Sequence, residues 1–271
     1  MTHYSNKMKQ VYKKFKYFMQ LMGFNPTVFV NFFRGLPKFI NDYLIFKKQL
    51  KSLNNKDFKT ITFYPMLGDL YNKSGSMSGQ YFHQDLHVAK KIFKNNPMKH
   101  VDIGSRTDGF VTHIAVFRAI EIFDVRPQVS KVENILFKQA DLMQMPDSLT
   151  DYCDSISSLH AIEHFGLGRY GDPLDVDGHL KGLENIYKIV KKGGKFYFSV
   201  PIGPQRIEFH GHRIFDVAYL LKQFESKYSI DEFAYVDDNG DLHSNALLSV
   251  ENIKCNFNCY NGLGIFELTK L

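Results

Sequence analysis

His160, Glu163 and His164 stand together in the run His160-Ala161-Ile162-Glu163-His164. An imidazole beside a carboxylate can act as a general base near neutral pH, with the carboxylate orienting the ring or sharing the proton. The same H-x-x-E-H spacing, carried on a helix and completed by a distant third ligand, holds zinc in some peptidases. Here it follows the apolar run 155–159, which reads as a strand, so we expect a base at the mouth of a site rather than a peptidase. A divalent ion on His160, Glu163 and His164 stays open as an alternative. Arg206, Glu208, His210, His212 and Arg213 form a second cluster. Arginines there can clamp a phosphate or carboxylate on a substrate, and His210 joins His160 and Glu163 as a catalytic candidate. The loop 166–173 between the two clusters carries Arg169 and Tyr170 and is long enough to wall the site.

A third group lies upstream. His100-Val101-Asp102-Ile103-Gly104-Ser105-Arg106-Thr107-Asp108-Gly109-Phe110 reads as a buried strand, a glycine turn and the first turn of a helix. That combination offers free backbone N–H groups to a nucleotide-like ligand. Asp124 follows Gly104 by about twenty residues, the spacing at which an acid reaches a ribose diol, and Asp141 with Leu142 ends the third strand, beside an adenine edge. The full G-x-G-x-x-G is absent, which argues against the close pyrophosphate approach of a nicotinamide cofactor. S-adenosylmethionine has no pyrophosphate and tolerates a looser turn. Tyr81, Gln84 or Asp85, on a helix just before this strand, is placed over the same ligand.

The elements that must position these groups alternate. Strands are expected at 101–103, 119–123, 135–138, 155–159 and 195–200, with helices at 110–118 and 178–190, the latter stopped by the Lys-Lys-Gly-Gly turn at 191–194. Alternation of this kind implies a parallel sheet covered on both faces. A helix at 214–224 and strands at 228–236 and 263–268 suggest an antiparallel pair at the end of that sheet. Ser78 is expected to cap a helix from about Gln80, with Phe82, Leu86, Ala89, Ile92 and Phe93 on its buried face.

From about His100 to Gly203, with the tail hairpin also fitting, the chain resembles the class I S-adenosylmethionine-dependent methyltransferases. In that family the first turn is usually Asp-x-Gly-x-Gly-x-Gly; Asp102 and Gly104 match, while Arg106 and Asp108 stand where glycines are usual. The resemblance implies a Rossmann-like α/β fold, mostly parallel with an antiparallel strand at the C-terminal end. It implies S-adenosylmethionine as cofactor, with Gly104 behind the methionine part, Asp124 on the ribose and Asp141 on the adenine; Asp102, Ser105, Arg106, Leu142, Tyr81 and Gln84 complete the cofactor set. Over more of the chain, Gly-Gln-Tyr-Phe-His-Gln-Asp-Leu at 79–86, the 101–110 run and Leu-His-Ala-Ile-Glu-His-Phe-Gly-Leu-Gly-Arg-Tyr-Gly-Asp-Pro at 159–173 look like one uncharacterised bacterial and nematode family, labelled a domain of unknown function. Members are similar to methyltransferases and several are associated with surface-polysaccharide genes. The likeness implies methylation of a hydroxyl or amine on a sugar or sugar-phosphate, with Arg169, Tyr170, Arg206, His212 and Arg213 holding the acceptor. The alternatives are an inactive binding or scaffold subunit of glycan assembly, motivated by Arg106 and Asp108, and a metal-assisted hydrolase.

Charge is uneven. Residues 1–60 hold 12 Lys/Arg against 2 Asp/Glu, leaving 22 against 26 for the rest of the 34 basic and 28 acidic residues. A nucleic-acid binder that is basic throughout is excluded by that split. We read 1–59 as a basic, aromatic-rich helical extension, 54–57 as its linker, and 60–271 as the α/β domain. The charge-free run 17–33 is interrupted by polar residues and is not expected to span a membrane or to serve as a secretion signal. A helix is expected to open at Pro37, with an apolar face framed by lysines. It either packs on the catalytic body or lies on an anionic membrane surface. Three cysteines are too few for a disulfide scaffold, and Cys255 and Cys259 lack partners for a zinc knuckle. A cytoplasmic location follows, with the front segment peripheral at the inner membrane face or against a glycan-assembly enzyme.

Overall fold

Alternating apolar runs and turn residues build the body around one sheet. The structure is a computed structural model that describes residues 15–52, 61–72, 74–144 and 147–271. Contacts divide the chain into two units, Met1–Ser76 and Met77–Leu271. The linker expected at 54–57 lies outside the described residues.

In the second unit, helix α2 (Gln80–Asn95) leads into β1 (His100–Ile103), β2 (Ile120–Asp124), β3 (Ile135–Gln139), β4 (Cys153–Leu159) and β5 (Val190–Ile202). After β5 come a hairpin, β6 (Arg206–Glu208) and β7 (His212–Ile214), and then β8 (Tyr228–Val236), β9 (Leu242–His243) and β10 (Gly262–Lys270). The main sheet runs β3-β2-β1-β4-β5-β10-β8-β9. β1 to β5 pair in parallel, and β10 is antiparallel to both β5 and β8. This is the mostly parallel Rossmann-like sheet with an antiparallel C-terminal strand, and its order reverses at β1 and β4, where open α/β sheets bind ligands.

The pleat sorts the core onto two faces. Phe123, Phe196, Phe198 and Phe266 pack on one side with Ile186 and Ile189 of α4 (Gly178–Ile189) and Leu220 and Phe224 of α5 (Val217–Phe224). Ile122, Tyr197 and Ile265, one residue away in each strand, pack on the other side with Val88 and Ile92 of α2.

Several expectations shift. Lys191–Gly194 does turn the chain, but inside β5: Cys153 pairs with Val190 and Ser155 with Lys195, so the intervening residues bulge out of the ladder. The helix expected at 110–118 is a wide turn, Thr107–Val111, followed by the short α3, Thr112–Ala115. The N–H of Val111 donates five residues back to Arg106 at 3.3 Å. The widened turn lies against Asp85, whose Oδ2 would be 2.7 Å from a side chain at Gly109. Helix α2 starts after Gly79 (φ +97°), not Ser78. Its buried face carries Gln84 and Asp85 while Phe82 and Phe93 are exposed, because Gln84 accepts from Ser199 Oγ (2.5 Å) and donates to Asp85 (2.9 Å).

In the first unit, α1 spans Pro26–Ser52 and runs through Pro37 instead of opening there. The start signal lies earlier: Asn25 Oδ1 accepts from the N–H groups of Thr27 (3.1 Å) and Val28 (3.4 Å), and Pro26 takes the first helical position. Among the described residues no helix is long and apolar enough to cross a membrane.

Candidate functional site

The C-terminal tips of β1 to β5 surround a cavity of about 370 Å³, within the range of small-ligand sites. Its floor is the Gly104 turn. Gly104 takes φ +67° and its N–H donates to Phe123 O (2.9 Å), which ties the tip of β1 to β2; a side chain there would meet the methyl of Ala161 at 3.1 Å. Only glycine adopts this conformation without strain.

Asp102 braces the turn from behind. Its carboxylate accepts from the N–H (3.0 Å) and hydroxyl (2.6 Å) of Ser105 and from Ser157 Oγ. Ser105 Oγ in turn accepts from the N–H of Leu159 (3.1 Å), stapling β1 to β4. Burial pushes the Asp102 carboxyl up to about 6. Asp102, Ser105 and Gln84 are therefore buried positioning residues and do not line the cavity as expected of cofactor contacts.

Asp124 and Asp141 do line it, with Leu142 and Arg106. Asp124 is already engaged: its Oδ1 accepts from the N–H (2.8 Å) and Nε (2.9 Å) of Arg126, and its Oδ2 from Nη2 (2.6 Å). A carboxylate offers about four acceptor positions, so about one remains. Asp141 Oδ1 accepts from the N–H of Met143 (2.9 Å). Phe123, Leu142 and Met143 give this end an apolar wall.

The opposite end is polar. His160 follows β4 directly with φ +53°, a conformation that costs a non-glycine residue about 1–2 kcal/mol and persists only where the surroundings impose it. Its N–H donates to Ser199 O (3.0 Å) on β5. Its Nδ1 lies 2.7 Å from Oε1 of Glu163, which is fully buried. Burial alone would raise the Glu163 carboxyl, but the hydrogen bond and charge of His160, with His164, outweigh it and hold the group below its ordinary value. An ionised Glu163 only accepts, so Nδ1 carries a hydrogen and donates it to Oε1. His160 Nε2 and Glu163 Oε2 are buried without a partner.

Tyr81 lies across His160, ring centroids 4.6 Å apart, and the Arg106 guanidinium sits 5.0 Å from the Tyr81 ring. Burial, then the charge of Glu163, raises the Tyr81 phenol. The loop 166–173 forms the wall as expected. Asp172 accepts from the N–H groups of Gly166 (2.8 Å), Tyr170 (3.1 Å) and Gly168 (3.2 Å). Gly166 takes φ +75°, where a side chain would fall 2.0 Å from Asp175 O. Arg169 donates to Gly211 O (3.0 Å), and Arg126 lies 4.4 Å from the Tyr170 ring. His164 Nδ1 also donates to Gly211 O (2.7 Å), and burial lowers both His164 and His212.

The second cluster splits. His212 lines the cavity; His210, Arg206 and Arg213 do not. His210 is exposed in the β6–β7 turn at φ +62°, away from the cavity in which it was expected to act. Arg206 donates to Pro204 O (3.1 Å) and Tyr260 O (3.0 Å), pinning the hairpin. Arg213 is buried and donates to the carbonyls of Phe165 (2.6 Å), Val176 (3.2 Å), Glu163 and Asp175 (both 3.4 Å). It fastens the wall with both terminal nitrogens and does not reach the cavity lining. The divalent-ion alternative finds no support: Glu163 and His164 sit in a tight turn (Ile162–His164) just after His160, Nδ1 of both histidines is engaged within the protein, and the described residues hold no metal-ligand group of three.

Arg126, Gln80 and Asn261 line the cavity beyond the expected set. Asp124-Val125-Arg126 had a readable signal, since an aspartate commonly accepts from the N–H two residues on. Asn261 had none. It arrives through β10, and its carbonyl accepts from Gln80 Nε2 (2.8 Å) across 181 positions of sequence.

Among solved structures, the chain is similar to the N-methyltransferase NodS from Bradyrhizobium japonicum WM9 in complex with S-adenosylhomocysteine, with 11% identity, TM-score 0.48, and coverage of 82% of this chain and 97% of that one. It is also similar to the Burkholderia thailandensis 1,6-didemethyltoxoflavin-N1-methyltransferase, with 12% identity, TM-score 0.48, and coverage of 69% and 78%. A third likeness is to the [4+2]-cyclase SpnF, with 12% identity, TM-score 0.49, and coverage of 76% and 92%. The strand order, not these distant likenesses, carries the fold. No curated protein sequence matches. The profile of one family, described as Caenorhabditis protein of unknown function, DUF268, matches residues 116–256. That stretch runs from the end of α3 past β9 and holds Asp124, Asp141 and the His160–Glu163 pair, just over half of the chain, and the protein belongs to the DUF268 family.

Proposed function

We propose that this chain is an S-adenosylmethionine-dependent methyltransferase whose acceptor is a hydroxyl or amine of a sugar or sugar-phosphate. The observation that carries the transfer is His160: its Nδ1–H is committed to an ionised Glu163, and its Nε2 is buried and without a partner at the cavity's polar end. A buried acceptor atom left unpaired in the free protein asks for a donor from a ligand. His160 Nε2 takes the acceptor's proton, and Glu163 stabilises the imidazolium that results.

The cavity fits the cofactor by its own chemistry. Asp124 keeps about one acceptor position for a ribose hydroxyl, Arg126 fixes the carboxylate's rotamer, Asp141 faces the adenine end, and Phe123, Leu142 and Met143 supply apolar wall. When bound, S-adenosylmethionine supplies an electrophilic methyl carbon on a sulfonium. The polar end, with His164, Arg169 and His212, suits a hydroxylated or anionic acceptor. The surface-polysaccharide setting rests on the family likeness of the 79–86, 101–110 and 159–173 motifs.

A second reading keeps binding and drops transfer, because Arg106 and Asp108 stand in the first turn where the methyltransferases it resembles usually carry glycines. The two separate in one assay: labelled S-adenosylmethionine with a panel of sugar-phosphates and nucleotide sugars. The transfer reading predicts label in an acceptor with the unaltered protein and at least a hundredfold less with His160→Ala. Cofactor binding with no labelled acceptor favours the second reading.

A further inference from the structure

The first unit carries a surface that the site chemistry does not use. Of the 27 residues of α1 only Gly35 is buried. Residues 61–72 cover one side of the helix. Phe63 packs on Phe39 (5.8 Å between ring centroids) and Tyr43 (4.7 Å), Leu67 closes over Gly35, and Tyr71 donates to Arg34 O at 3.2 Å. At about 100° per residue, Phe29, Phe33, Ile40 and Leu44 fall within about 60° of one another on the adjoining side. They are 53%, 60%, 49% and 60% exposed. The strip is about 22 Å long. Where it runs out, Lys47, Lys48 and Lys51 take over the same side. Asp42 is the one carboxylate in the helix, and it is paired with Lys38 at 2.6 Å. The helical residues 15–21 before α1 expose Phe15, Tyr17, Phe18 and Leu21 as well.

Large apolar side chains beside cations with almost no carboxylate to offset them fit one partner better than others. An apolar protein groove explains the strip but leaves three lysines facing no stated charge. A membrane of anionic lipid answers both: the acyl boundary takes Phe29, Phe33, Ile40 and Leu44, and the headgroups take the lysines. We propose that α1 docks this chain flat on an anionic lipid surface. Docking of this kind is independent of methyl transfer.

The test uses the full chain and two vesicle compositions, phosphatidylcholine alone and phosphatidylcholine with phosphatidylglycerol. The chain is expected to float with the anionic vesicles and not with the neutral ones. The sequence has no tryptophan, so Phe33→Trp reports this strip alone; its emission should shift to the blue only with the anionic vesicles. Phe33→Glu with Ile40→Glu, and separately Lys47→Glu, Lys48→Glu and Lys51→Glu together, should each lower the bound fraction at least tenfold with an unchanged far-UV spectrum. Failure of the unaltered chain to float with anionic vesicles overturns the proposal, and so does flotation that both variants retain. A strip buried instead on protein, whether the chain's own second unit or another copy, would leave the emission of the Phe33→Trp variant unshifted by vesicles. It would also give the glutamate pair a lowered melting temperature or altered sedimentation; that result overturns the proposal too.

Discussion

His160 and Glu163 are three residues apart, yet their pairing depends on a backbone that leaves the strand in a left-handed residue and turns at once. General-base groups contribute typically 10²–10⁴ in rate. We therefore expect Glu163→Gln to lower kcat by about 10²-fold while S-adenosylhomocysteine affinity changes less than about twofold, measured by steady-state kinetics and calorimetry side by side. Asp102 makes a different prediction. Its folded carboxyl is raised from 3.8 to about 6 by burial. Below about pH 4 both folded and unfolded states are protonated. Between about 4 and 6 the folded state holds a proton that the unfolded chain has lost, so stability falls as pH rises through that window. Relative to Asp102→Asn, the unaltered protein should lose on the order of 2–3 kcal/mol from pH 4 to pH 7 in denaturant unfolding. Parallel pH profiles for the two proteins would contradict the assignment. At this scale the sequence shows the acids at strand tips, Asp124 and Asp141, because their place after an apolar run is a local property. It does not show that Asp102, Ser105, Gln84 and Arg213 satisfy one another or the backbone inside the fold, because each of those partners is distant in sequence or set by the turn.

Elements decide which of those candidates reach the cavity. The β6–β7 hairpin points His212 inward, leaves His210 in solvent and spends Arg213 on four carbonyls. Removing that guanidinium leaves buried acceptors unpaired, so Arg213→Met should cost about 2–4 kcal/mol. It should also open the 166–176 wall to limited proteolysis before the rest of the second unit. Equal protection in both proteins would contradict the fastening role. Strand periodicity and the antiparallel tail were legible because apolar runs and turn residues are local signals. The buried face of α2 was not, since hydrogen bonds from Ser199 to Gln84 and from Gln84 to Asp85 replace the apolar residues that periodicity selects. The start of α1 was readable at Asn25-Pro26, a cap followed by the first helical position, in preference to Pro37.

On the scale of the molecule, two units of opposite character share one chain: a basic segment with an exposed apolar strip, and a slightly acidic α/β body whose strand tips hold one cavity with an apolar and a polar end. The charge split was visible in composition alone, and so was the alternation that builds the sheet. The closing of the cavity by Asn261 and Gln80 was not, because only the insertion of β10 between β5 and β8 brings them together. The central claim is that the tips of β1, β2 and β3 bind a sulfonium nucleoside, with Asp124 on its ribose. Calorimetry with S-adenosylhomocysteine tests it most directly. The account predicts saturable one-site binding to the unaltered protein and at least a tenfold weaker affinity for Asp124→Ala; no binding, or an affinity that the substitution leaves unchanged, would contradict it.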